Sequence, residues 1–192
     1  MFLAMRSLIV TEFITLDGVV EAPGGGDHPH GGWTFKDVDF DESAYEIKGR
    51  EQEEAGALLL GRRTYTEFAP IWPTMEDFAR YNSLPKYVVS TTLTDADLNP
   101  DWPDTSILRT LDEVAALKAG DGGPILVHGS AELARGLAAA GLVDRYTLLE
   151  FPVVLGSGTR LFADDGDKAR LTLTEHATYA NGVRLAVYDV VR

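Results

Sequence analysis

Residues 122–137, GGPILVHGSAELARGL, decide the fold. Ile125–His128 is a short apolar run entered through Gly-Gly-Pro, the form of a strand buried on both faces of a parallel sheet. It passes through Gly129 directly into a helix read over Ser130–Ala140, with Leu133 and Leu137 on one face and Gly141 closing it. A strand that turns at once into a helix belongs to an α/β architecture. The N–H groups at such a helix start, together with the positive end of its dipole, bind phosphate without any net positive charge. Gly129 lets the backbone approach closely, and Ser130 either caps the helix or offers its hydroxyl to an oxygen. The same residues also read as plain strand–turn–helix punctuation, and Glu132 in the first turn already uses the dipole.

The pattern alternates outward from this unit. Ser7–Phe13, Ala57–Leu60, Lys86–Ser90 and Ser106–Arg109 read as strands, the last of them weak. Helices are expected over Asp41–Glu54, from Thr64 to near Pro70, and from Thr110 to Gly120. Each carries a possible capping box: Ser43 with Glu46, Thr64 with Glu67, and Thr110 with Glu113. Glu21–Trp33, EAPGGGDHPHGGW, reads as one long loop. Asp144–Phe151 is a further strand. Arg170–His176 and Val183–Val191 flank Asn181-Gly182 as an antiparallel hairpin, with Leu171 and Leu173 alternating as a half-buried strand requires. The expected fold is α/β, a mixed, mainly parallel sheet with helices on both faces and a C-terminal antiparallel hairpin.

Composition narrows the function. With 192 residues, 45% hydrophobic and 24% charged, the chain suits one domain spanning 1–192. It has no cysteine, hence no disulfide and no thiolate metal site or nucleophile. No apolar run is long enough to cross a bilayer, and the N-terminus lacks a signal-peptide pattern, so a cytoplasmic protein is expected. The net charge of −13 repels nucleic acid and anionic membrane alike, since both are held by Lys and Arg. A phosphate site must then be built locally, from backbone amides and a few placed arginines.

Leu58–Phe68, LLLGRRTYTEF, offers those arginines at a strand's end: Gly61, Arg62, Arg63 and Thr64. A planar guanidinium suits a phosphate monoester, and ligands of open α/β sheets gather at the carboxyl ends of the strands. Alternatively the two arginines pair with surface carboxylates. In KYVVSTTL, Ser90 and Thr91 either hold a ribose or phosphate oxygen or cap a loop. Asp17, in Leu-Asp-Gly, is a polar candidate near a reacting centre and equally a good turn residue. Trp33 and Phe35 either stack on a flat heterocycle or serve the core. His28 and His30 beside Asp27 read as solvated rather than metal-bound. No metal site is expected.

Together TEFITLDGVVEAPGG…GGW, ALLLGRRTYTEF, KYVVSTTL and ILVHGSAELARGLAAAGLVDRYTLLEFPVVLGSGTRLF resemble the dihydrofolate reductase-like superfamily. The likeness is nearest to stand-alone relatives of the reductase domain of the bifunctional riboflavin-biosynthesis deaminase/reductase, and it spans nearly the whole chain. The resemblance implies that Gly61, Arg62, Arg63, Thr64, Ser90 and Thr91 grip the adenosine side of NADPH. It places the pyrophosphate at Gly129, Ser130, Ala131 and Leu133. Thr15, Leu16, Asp17, Gly18 and Val19 would border nicotinamide and substrate, and Leu155, Gly156 and Gly158 would close over the site. No matching spacing fixes the acidic residue with which dihydrofolate reductases hold the pteridine. The deaminase zinc set is missing too, which leaves a reductase half alone. The resemblance implies hydride transfer from NADPH to a small heterocyclic or carbonyl/imine substrate, akin to 5-amino-6-(5-phosphoribosylamino)uracil reductase, and a homodimer. The alternative is a nucleotide-binding regulatory or ligand-sensing protein without turnover.

Overall fold

The structure, a computed structural model, describes residues 5–192. Its strands are β1 (Leu8–Thr15), β2 (Ala57–Gly61), β3 (Lys86–Val89), β4 (Thr105–Leu108), β5 (Ile125–His128), β6 (Arg145–Phe151), β7 (Arg170–Thr178) and β8 (Arg184–Val191). They form one sheet in the order β4-β3-β2-β5-β1-β6-β8-β7. The six strands from β4 to β6 run parallel, while β8 lies antiparallel to β6 and β7 antiparallel to β8. The helices are α1 (Trp33–Lys36), α2 (Glu42–Glu54), α3 (Arg62–Phe68), α4 (Ala79–Asn82), α5 (Leu111–Ala119) and α6 (Ala131–Ala139).

Alternation along the central strands feeds two layers of core. Leu8, Val10 and Ile14 of β1 join Ile125 and Val127 of β5 against Val114 of α5 and Ala131, Ala134 and Leu137 of α6. Ile9, Leu58, Leu60 and Leu126 face the other way, onto Tyr65, Trp72, Tyr81 and Trp102. Trp33, Ala44 and Ile47 continue that second layer over Leu149 and Phe151 of β6 and Leu185 and Val187 of β8. With both faces covered, a run such as Leu58–Leu60 is apolar at every position, and each such side chain contributes about 1.5–3 kcal/mol of burial. Among the described residues no helix is long and apolar enough to cross a membrane.

Three expectations need correction. The Thr110–Glu113 capping box is present at α5, but α2 is capped by Asp41, whose carboxylate accepts from the Ser43 N–H at 3.1 Å. At α3 the cap position is Gly61, and Thr64 lies inside the helix. In both, the local box pattern lost to a partner that the four-residue window does not contain. The hairpin forms at Asn181-Gly182, with Gly182 at φ 85°, yet Leu171 and Leu173 are 38% and 47% exposed. β7 is the outermost strand, and no helix reaches far enough to cover it.

Candidate functional site

Parallel strands deliver their carboxyl ends to one edge of the sheet. There Thr15 ends β1, Gly61 ends β2, Ser90 follows β3 and His128 ends β5. The β2–α3 and β5–α6 turns meet directly. The Gly61 N–H donates to Ser130 Oγ at 2.9 Å, and that hydroxyl donates to Thr64 Oγ1 at 2.8 Å. A Cβ on Gly129 would stand 3.2 Å from the Thr64 side chain, and one on Gly61 would stand 3.3 Å from Ser130 Oγ. The two glycines therefore let one turn pack on the other. Gly129 and Ser130 take successive left-handed conformations, φ 57° and 62°, which swing the chain from strand into helix.

Ser130 thus spends its hydroxyl on Gly61 and Thr64, and no side chain caps α6. The amides of Ala131, Glu132 and Leu133 occupy a first turn that has no intrahelical acceptor to offer them. The first backbone bond of this helix runs from the Ala134 N–H to the Ser130 carbonyl at 2.9 Å. The result is a set of outward N–H groups beside Gly61, a seat for an anion. It is an open rim rather than a cleft: Gly61, Gly129 and Ser130 are half-buried and Arg62 is exposed.

The two arginines part company. Arg63 pairs with Glu21 at 3.1 Å and with Glu67 at 3.2 Å, and those carboxylates, Glu67 first, raise its pKa. Arg62 has no salt bridge among the described residues and stands exposed at the α3 start. One free guanidinium, not two, faces the edge. Ser90 is buried and caps its own turn, accepting from Thr92 N–H at 3.2 Å and Leu93 N–H at 3.0 Å, while Thr91 is exposed. Arg109, after β4, donates to the Ser90 carbonyl at 2.7 Å. Sequence reading had given Arg109 no role, because only the β3–β4 pairing brings it here.

On the other side of β1, two carboxylates fasten a loop. Asp17 accepts from the Thr15 hydroxyl at 2.6 Å, the Gly156 N–H at 2.9 Å and the Leu155 N–H at 3.2 Å. Burial pulls its pKa up, but these bonds, Thr15 and Gly156 foremost, hold it below the usual value. Glu21 accepts from the Thr159 N–H at 2.8 Å and hydroxyl at 2.9 Å, which chiefly lower its pKa, with Arg63 adding to the effect. Gly18 and Val20 continue the seam through backbone bonds to Leu161 and Thr159. Gly158, at φ 114°, is pressed so close that a Cβ would meet Val19 at 2.9 Å. Beside this loop runs a groove of about 640 Å³, lined in part by Glu132, Arg135, Thr159, Arg160 and Phe162.

Trp33 is wholly buried, its Nε1 donating to the Glu21 carbonyl at 2.9 Å and its ring edge-on to Phe151. Of the two readings the sequence allowed, it takes the core one, which leaves no face to stack on a ligand. Phe35 is 62% exposed.

Beneath the edge lie polar groups that sequence reading passed over. Glu12 on β1 is buried; the Gly129 N–H faces its carboxyl, and its Oε1 has no partner. Burial raises its pKa to about 8 despite Lys48. His128 pairs in register with Thr11 on the opposite face, packed against Tyr81 and Trp72. Its Nε2 is unpartnered, and burial, with Lys48, lowers its pKa to about 3. Thr11 donates to Glu51 at 2.9 Å, and Lys48 reaches both.

Comparison with known proteins agrees with this architecture. The RibD C-terminal domain family matches residues 6–185. An uncharacterized protein, YyaP, from Bacillus subtilis (strain 168) is 29% identical over 193 residues, covering 97% of this chain and 96% of its own. A putative riboflavin biosynthesis protein from Shewanella sp. PV-4 superposes with a TM-score of 0.77 at 19% identity, over 97% of this chain and 100% of that one. A pyrimidine reductase-like protein from Corynebacterium diphtheriae gives 0.67 at 17%, over 97% and 92%. Dihydrofolate reductase from Enterococcus faecalis, complexed with NADP(H), gives 0.60 at 14%, over 97% of each chain.

Proposed function

This chain belongs to the RibD C-terminal domain family, a family of reductase type, and from that premise we propose that it is an NADPH-dependent reductase of a small heterocyclic or carbonyl/imine substrate, related to 5-amino-6-(5-phosphoribosylamino)uracil reductase. One observation carries the reading: the uncapped first turn of α6 and Arg62, unpaired among the described residues, share the carboxyl edge of the sheet. The donor set fits the cofactor. Amides at Ala131 and Leu133 would take the pyrophosphate beside Gly129, whose own N–H meets Glu12, and Ser130, committed to Gly61 and Thr64, holds the two turns together. Arg62 would take the 2′-phosphate, with Arg63 steadied by Glu21 behind it. Thr91 and the Ser90 turn, braced by Arg109, would border the ribose.

When bound, NADPH supplies the hydride. The chain's own residues orient and enclose. Thr15 and Asp17 set the end of β1 against Leu155, Gly156 and Gly158, which form the wall on the substrate side. Asp17 is ionised and accepts three hydrogen bonds, so it acts by holding this wall, not by donating a proton. Phe35 offers an exposed ring to a flat substrate. The bare outer edge of β7, with Leu171 and Leu173 exposed, supports pairing into a homodimer.

The test is an NADPH titration followed by a screen of pterins, pyrimidines, quinones and aldehydes, read at the nicotinamide absorbance. Tight NADPH binding with turnover of one class is expected. Binding with no turnover across the panel would favour the ligand-sensing alternative, and no binding would end the proposal.

A further inference from the structure

We propose that Glu12 is a positioning residue of the nucleotide site: its neutral carboxyl completes the anion seat under the β5–α6 turn, so that nucleotide binding takes up a proton whenever this carboxyl starts out ionised. The proposal rests on the reading above that this turn holds the pyrophosphate. Glu12 lies between Val10 and Ile14 on the face of β1 that α6 covers, and it is 4% exposed. Its carboxyl is met by the Gly129 N–H, and Oε1 has no partner among the described residues. Buried acid oxygens without partners are rare, and each calls for something that meets it. What covers this face of β1 is α6, whose uncapped start packs there through Ala131.

The two protonation states do opposite things there. The neutral acid has one O–H to donate to an oxygen seated on the turn. The ionised group only accepts, so it claims the Gly129 amide and sets a like charge beneath the phosphate. Few other charges act on it. Lys48 and Glu51 on α2 oppose one another across the sheet. Tyr146 of β6 shares the face, His128 on β5 is held neutral, and the covering residues Ala131, Ala134, Leu137 and Val114 carry no charge. Burial is the largest influence and keeps the carboxyl protonated up to about pH 8.

Isothermal titration calorimetry of NADPH, in two buffers of different ionisation heat from about pH 6.5 to about 9.5, tests this with wild type and Glu12→Gln. The cofactor's phosphate monoester titrates near pH 6, so the profiles are compared above about pH 7.5, where it is ionised throughout. In wild type Kd should be flat below about pH 8 and then rise about tenfold per unit, with proton uptake approaching one. Glu12→Gln, which mimics the neutral acid, should bind independently of pH and take up no proton. A flat wild-type profile, or the same slope in the variant, overturns the proposal. The wild-type proton count decides by itself if the variant folds poorly. Absence of NADPH binding at the low end of the range, in both proteins, would instead bring down the nucleotide site itself and this inference with it.

Discussion

Glu12 and His128 write opposite signatures into the stability of the fold, and Glu12→Gln separates them. The native Glu12 carboxyl titrates at about 8 instead of 4.5, and burial is the main cause. Between those values the folded chain keeps a proton that the unfolded chain has lost, so stability falls as pH rises. His128 titrates at about 3 instead of 6.5, again mainly through burial, so the unfolded chain holds the extra proton and stability rises with pH over that interval. Each proton is worth about 1.4 kcal/mol per pH unit. The two slopes cancel from about pH 4.5 to 6.5, and Glu12 acts alone from there to about pH 8, where wild type should lose about 2 kcal/mol. Glu12→Gln should rise throughout the lower interval and then stay level, ending about 5 kcal/mol better placed against wild type at pH 8.5 than at pH 4.5. Urea unfolding followed by circular dichroism at closely spaced pH values measures this. A wild-type curve with no fall between pH 6.5 and 8, or a variant that keeps the fall, would refute the burial of an uncompensated acid at this position.

Further outcomes follow from the site. Arg62→Ala should weaken NADPH binding by about tenfold to a hundredfold, the worth of one charge-assisted contact, and leave NADH nearly unchanged. Arg63→Ala, whose guanidinium is already paired with Glu21 and Glu67, should cost less than about threefold; fluorescence titration with both nucleotides compares them. Asp17→Asn should cut amide-exchange protection at Leu155 and Gly156 by about tenfold, because a neutral amide holds those N–H groups less firmly than a carboxylate does. Trp33→Ala should cost about 3–5 kcal/mol of stability while leaving NADPH affinity near wild type, as expected of a wholly buried core residue.

Where local chemistry decided the outcome, the sequence was readable. Ile125–His128 and the Thr110–Glu113 box came through because a Gly-Pro entry and a reciprocal cap are complete within a few residues. Thr64 and Ser43 looked like caps for the same local reason, but Thr64 answers to Ser130, sixty-six positions away. Leu171 and Leu173 alternate correctly, and nothing in alternation tells that β7 is the outermost strand. The short helices α1 and α4 have too few residues to show a period. Of the site, the glycines and Arg62 were visible as motif letters, whereas the pairing of Arg63 with Glu21 spans forty-two positions. Glu12 escaped because Ser7–Phe13 reads as a buried strand on its apolar residues alone, which leaves the acid inside it unweighed. Only the central place of β1, between β5 and β6, buries both faces. The resemblance carried that place implicitly, and an acid inside a central strand was the available signal.

A crystal structure of the chain with NADPH tests the central claim most directly. The pyrophosphate should lie on the amides of Ala131 and Leu133 above Glu12, with the 2′-phosphate against Arg62. Nucleotide density away from the β5–α6 turn, or a 2′-phosphate turned from Arg62, would contradict it.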